Sequence, residues 1–189
     1  MYKLRFHFLF MPIERVNLYS EPDPIRGYSI PFIGDIKISQ GRNGRYSHFA
    51  YRVGPKLVDD RFAVDFELPI GTEILSTKSG IVQWVEDHHD GSFESTCIND
   101  YYNLENKPSP NFVIIDHDPG VRTIYSHFRK NGVTVHSGNY VEEGQLIGYT
   151  GKSGWIGPIP HLHVETVKIN IGTDRLSVPM IFDRKPLHE

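Results

Sequence analysis

The sequence predicts a mostly β protein built from antiparallel sheets in a sandwich-like arrangement. Three observations carry that expectation. Seventeen glycines and thirteen prolines cut the chain into short pieces. The pieces between them are rich in Val, Ile, Thr, Tyr and Phe, and no stretch repeats its apolar residues at the 3.6-residue period of an amphipathic helix.

Taken in order, strands are expected over 28–33 and 35–40, divided by Gly34, and over 63–67, which ends just before the turn residues Pro69 and Gly71. Strands 73–76 and 80–86 follow, the second opening at Gly80. Strands 111–116 and 121–127 flank Asp116-His117-Asp118-Pro119-Gly120, a cluster of turn formers that predicts an antiparallel hairpin delivering His127 to one end of a sheet. The piece 133–148 carries two Gly-centred turns, resembles the compact barrels of biotinyl and lipoyl domains, and reads as scaffold that includes the start of strand 145–150. The last strand is 161–169. The only helical feature expected is a short turn after Tyr125. Two stretches depart from this economy: 87–110, polar and turn-rich, reads as a surface insertion able to wall a groove, and the stretch between His48 and Asp65, which includes Val53-Gly54-Pro55-Lys56, reads as irregular.

At 189 residues with 39% hydrophobic content, the chain suits one domain over 26–189 with an N-terminal extension over 1–25. A formal net charge of −3 and no basic run argue against nucleic acid as a main partner. Cys97 is the only cysteine, so an internal disulfide is excluded and a thiolate metal site is disfavoured. Residues 1–12 look superficially like a secretory leader, but Arg5 and His7 interrupt the apolar run and no small-residue cleavage site follows. No stretch approaches the 20 apolar residues of a membrane helix, so a soluble protein or a trimmed exported one is expected.

The chemistry concentrates in Pro160-His161-Leu162-His163-Val164-Glu165. On a strand, His161 and His163 project from the same face about 6.5 Å apart, so one imidazole can bind a metal while the other reaches what the metal activates. Catalytic zinc usually takes three protein ligands and keeps one position for water. Asp65, His127 and His48 are the candidates to complete such a site. Each alone reads as well as a packed or surface residue, since the chain holds ten histidines.

Four segments in the same order resemble the lysostaphin-type zinc metallopeptidases that cut bacterial cell-wall cross-links: 63–72, Val113 to His117 with Thr123 to His127, Val141 to Gly151, and Pro160 to Glu165. The resemblance runs from about Gln40 to Glu165. It implies zinc (Zn2+) held by Asp65 and His163, with His127 and His161 beside an activated water, a peptidoglycan peptide as substrate, and a periplasmic, cell-envelope or secreted location. Many members of that family place a first ligand histidine four residues before the aspartate, where this chain has Arg61, a cation that cannot ligate. The replacement is His48 in Tyr46-Ser47-His48, which resembles a branch with a Ser-His pair before the aspartate, and a neighbouring strand is expected to deliver it.

Two rival readings accompany this one. A degenerate, noncatalytic relative would bind cell wall or regulate a partner hydrolase, an idea that Arg61 favours. A histidine phosphocarrier domain would also present two facing histidines, but Asp65 beside them would repel a phosphate. His88 and His89 read as solvated loop residues and His117 as a hairpin-turn residue, His7, His136 and His188 show no partner pattern, and Tyr125, Tyr149 and Trp155 read as core or cleft aromatics.

Overall fold

A computed structural model describes residues 13–18, 21–53, 56–102, 104, 106–118, 120–169 and 175–184. The leader-like segment 1–12, with His7, and also His188 lie outside the described residues. The chain forms β1 (Ile13–Arg15), β2 (Ile25–Ser29), β3 (Ile38–Gln40), β4 (Ala50–Val53), β5 (Lys56–Asp59) and β6 (Val64–Glu67). It continues through β7 (Glu73–Leu75), β8 (Gly80–Glu86), β9 (Ser92–Phe93), helix α1 (Ile98–Tyr102), β10 (Phe112–Asp118), β11 (Val121–Ser126) and β12 (Phe128–Val133). The remaining strands are β13 (Tyr140–Val141), β14 (Leu146–Thr150), β15 (Gly154–Trp155), β16 (His161–Ile169), β17 (Arg175–Val178) and β18 (Met180–Arg184).

The mostly antiparallel β architecture is as expected. The large sheet runs β1-β4-β5-β17-β16-β11-β10-β8-β13, with β6 paired to β16 and β3 paired to β6. A smaller sheet, β12-β14-β7, packs against it, because Phe128, Ile147 and Ile74 join Val113, Ile115, Tyr125, Leu162 and Val164 in one buried cluster. Period-2 alternation decides which side chains enter that core. Leu162 and Val164 turn inward from β16, leaving His161, His163 and Glu165 on the opposite face. Tyr125 is wholly buried, and its hydroxyl accepts from the Thr77 amide at 2.9 Å and lies 2.7 Å from Thr77 Oγ1. It is therefore a core residue and does not line a cleft.

The predicted hairpin is present: β10 and β11 pair from Phe112↔Ser126 to Asp116↔Arg122, with a bulge before the turn. Gly120 has φ of +78°, a conformation that strains any residue with a Cβ. Three expectations are corrected. The stretch between His48 and Asp65 is not irregular, since β4 and β5 form a hairpin in register from Ala50↔Asp59 to Val53↔Lys56; two four-residue strands joined across Gly54-Pro55 leave too little periodicity to read. No helical turn follows Tyr125, because β11 ends at Ser126 and β12 begins at Phe128. The helix lies instead inside the 87–110 insertion, which also contributes β9, paired in parallel with β15.

Candidate metal centre

Strand β16 is the spine of the site. One edge pairs with β11, placing Ser126 opposite His163, while the other edge pairs first with β6 and then with β17. The β6 ladder sets His163 directly opposite Asp65 and His161 opposite Glu67. Cross-strand partners have Cβ atoms about 4.5–5.5 Å apart, so this register alone makes the two side chains meet. His163 Nδ1 lies 2.9 Å from Asp65 Oδ1.

The same carboxylate oxygen is 3.2 Å from His48 Nε2 and 3.6 Å from His161 Nε2. One donor atom each from His48, Asp65 and His163 falls within 4.8 Å of the others. His48 arrives from the loop between β3 and β4, not from a strand as expected, and its ring is wholly buried. Its Nδ1 donates to the Gly41 carbonyl at 3.0 Å, which directs Nε2 toward Asp65; that nitrogen is buried without a hydrogen-bond partner. Gln40, which the sequence reading missed, holds the loop and the carboxylate together. Its Nε2 donates to Asp65 Oδ2 and to Ser47 Oγ, both at 3.0 Å, and its Oε1 accepts from the amides of Tyr46 and Ser47. The available signal was its position opposite Asp65 in the β3–β6 pairing, which only the fold provides.

His127 and His161 face each other with ring centroids 4.9 Å apart. A carbonyl only accepts, so the contacts of their Nδ1 atoms with Ser153 O and Ile159 O, both 2.8 Å, put the proton on Nδ1 and leave Nε2 as the free acceptor. His127 sits at φ of +75°, a strained conformation for a residue with a Cβ. It is pinned there by its amide on Asn111 O and by the Gly151 amide on its own carbonyl.

Burial sets the electrostatics. It lowers His127 to about 3, aided by repulsion from His161 and His163. Burial also lowers His161, against the attraction of Asp65. For Asp65 burial acts upward, but His161, His163 and His48 hold the carboxyl well below its usual range. Burial acts downward on His163 yet the hydrogen bond and charge of Asp65 win, raising it to about 9. The site thus combines two neutral imidazoles, His127 and His161, able to accept a proton, with an anionic Asp65 and a protonated His163 that must lose its proton before it can ligate.

Arg61 takes no part in this cluster. Its Nε and Nη2 clasp Asp59 Oδ1 and Oδ2 at 2.9 and 3.1 Å, and Nη1 donates to the Leu18 carbonyl. A cleft of about 510 Å³ opens over the histidines; its lining includes Thr96 from the insertion, Trp155, and Arg175. Beside His163 in the same cleft, Arg175 Nη2 bridges Asp60 and the buried Glu165; the sequence reading gave none of these three a role. Burial raises Glu165 to about 7, against the attraction of Arg175.

Of the other histidines, His117 bonds Ser79 O and Thr123 Oγ1, and His136 is exposed. His88 and His89 gather on Glu86, forming a second His/Glu group with His88 exposed to solvent. Tyr149 stacks under Arg129, and Cys97 is exposed.

A family model described as Peptidase family M23 matches residues 60–175, a span containing Asp65, His127, His161 and His163 but not His48. The chain is 30% identical over 112 residues to the peptidoglycan DD-endopeptidase ShyA of Vibrio cholerae, covering 59% of this chain and 21% of that protein. It is 29% identical over 122 residues to lysostaphin of Staphylococcus simulans, again with 21% of that protein covered. The chain therefore spans about a fifth of the length of these curated relatives. Among solved structures, the catalytic domain of the prophage-encoded M23 protein EnpA from Enterococcus faecalis superposes with a TM-score of 0.53 at 22% identity, covering 80% of this chain and 94% of that one.

Proposed function

This chain belongs to peptidase family M23, and from that premise we propose that it is a zinc metalloendopeptidase that hydrolyses peptide bonds of peptidoglycan cross-links. The observation that carries the proposal is the buried, partnerless Nε2 of His48, aimed at the carboxylate that also meets His163. An imidazole nitrogen buried without a partner is costly in a metal-free protein and is what a ligand position requires. His48 through Nε2, Asp65 through Oδ1 and His163 through Nδ1 would hold the ion. When bound, zinc supplies Lewis acidity and brings the pKa of water toward ~7.

The chain's own residues do the rest. One of His127 and His161, neutral and with Nε2 free, accepts the proton of the attacking water as the peptide carbonyl becomes tetrahedral; the imidazolium so formed stabilises the oxyanion and then gives that proton to the leaving amine nitrogen as the C–N bond breaks. Trp155 and the insertion wall the cleft and orient the peptide. The named relatives support peptidoglycan as the substrate class, and with it a location outside the cytoplasm. Among the described residues no helix is long and apolar enough to cross a membrane. The noncatalytic reading loses its main support, because Arg61 is committed to Asp59 while His48 stands beside Asp65.

The test is incubation of the zinc-loaded protein with purified peptidoglycan, with and without a chelator, followed by mass analysis of released fragments. New amino and carboxyl ends from peptide cleavage, abolished by the chelator, are expected. Intact peptidoglycan in the presence of protein carrying one zinc equivalent would overturn the proposal.

A further inference from the structure

Three of the four histidines around Asp65 are oriented by the same device. A backbone carbonyl accepts the Nδ1 proton of His48 (Gly41), His127 (Ser153) and His161 (Ile159), at 3.0, 2.8 and 2.8 Å, leaving each Nε2 toward the site. His163 is turned round: its Nδ1 meets Asp65, and its outward Nε2 has no described hydrogen bond. What faces that nitrogen is Glu165 Oε1, 4.0 Å away.

Glu165 stands two residues along β16 on the same face as His163, with 2% of its surface exposed. Its Oε1 is 2.7 Å from Arg175 Nη2, which also reaches Asp60 Oδ1 at 2.8 Å. Its Oε2 is buried without a partner. A carboxylate buried with an unsatisfied oxygen is an expensive arrangement, and it sits beside an imidazole nitrogen that also lacks one. When Nδ1 of a neutral imidazole is given to a metal, the ring proton resides on Nε2 and requires an acceptor. The oxygen nearest that nitrogen is Oε1, the one Arg175 holds, and closing the 4.0 Å gap by about 1 Å would let it accept the Nε2 proton.

We propose that Glu165 is the positioning residue for His163, accepting the Nε2 proton of that ring when Nδ1 carries the ion, with Arg175 and Asp60 locking the carboxylate in place. The inference rests on the zinc reading above. The carboxylate fixes the ring plane and tautomer and makes the ligand nitrogen a stronger donor, the outer-sphere role that typically governs affinity by about 10–100-fold. Glu165 itself needs no contact with substrate.

The experiment is measurement of zinc affinity by competition with a chromophoric chelator for the unaltered chain, Glu165→Gln, Glu165→Leu and Arg175→Met. It is paired with ring-nitrogen ¹⁵N spectra of the zinc-loaded forms and melting of the zinc-free forms. Glu165→Leu should bind zinc about 10–100-fold more weakly. Glu165→Gln, whose amide oxygen still accepts but carries no charge, and Arg175→Met, which frees the carboxylate, should fall between. The spectra should place the His163 proton on Nε2. Variants that melt lower without zinc yet bind it as tightly as the unaltered chain would assign Glu165 a purely structural role and overturn the proposal, as would a proton on Nδ1. Should Glu165→Leu not fold, unaltered affinity in the other two variants would overturn it equally. If the unaltered chain binds no zinc, the metal-centre reading itself falls, a result distinct from all of these.

Discussion

His163 and Asp65 are separated by 98 positions in the chain, yet they are direct register partners across the β16–β6 ladder, with Nδ1 and Oδ1 2.9 Å apart. Two of three proposed ligands are therefore set by sheet hydrogen bonding, which is stiff. The third, His48, hangs on a loop whose geometry depends on Gln40. The proposed metal centre is held by a sheet ladder on one side and by side-chain hydrogen bonds on the other.

Replacing His48 by Ala should leave the β6–β16 ladder intact while removing one donor. Zinc affinity is expected to drop by more than the ~100-fold upper range of outer-sphere changes, with the far-ultraviolet circular dichroism unchanged. One retained zinc equivalent in His48→Ala, measured by mass spectrometry of metal content, would assign the third ligand elsewhere.

Zinc binding should release a proton. His163, raised to about 9 in the metal-free protein, is charged at pH 7 and must become neutral to ligate. Because its folded pKa is raised, the stabilising pair with Asp65 is complete below the unfolded value near 6.5 and is lost as pH climbs through about 9. Calorimetry at pH 7 in buffers of different ionisation enthalpy should report release of about one proton from this ring, fading above pH 9. Binding without proton release at pH 7 would contradict the assignment.

His127→Ala and His161→Ala should keep zinc and lose turnover. Loss of a general acid–base group costs about 10²–10⁴-fold in kcat, so each variant is expected to retain one zinc equivalent and to release peptidoglycan fragments at least ~100-fold more slowly. Loss of zinc from either would make it a ligand.

Arg61→Met addresses the residue that replaces the usual ligand histidine. Asp59 is wholly buried and Arg61 nearly so, so removing the guanidinium strands a charge and should cost about 3–5 kcal/mol of stability in urea unfolding. Zinc affinity should remain close to that of the unaltered chain. A large fall in affinity with stability unchanged would place Arg61 in the centre after all.

Much of this was legible in the linear chain because short-range rules apply to it. Strands 80–86 and 161–169 were read with the bounds they have, and the Asp116 to Gly120 turn announced its hairpin, since period-2 patterning and turn chemistry act over a few residues. Strands β4, β5, β17 and β18 were not read. Each is four or five residues long, too short to show a period; β4 and β5 hold each other in a hairpin, and β17 and β18 are held extended by partners elsewhere in the chain.

The site divides along the same line. His161 and His163 on one face, and Asp65, His48 and His127 as their candidate partners, were determined by residue type and motif order. That Arg61 turns to Asp59, that Gln40 secures the loop of His48, and that Asp60, Arg175 and Glu165 assemble beside His163 were decided only by tertiary structure. These contacts join β3, β5, β16, β17 and the loops beside them. No local period encodes the distance between side chains that meet only after a sheet has chosen its register.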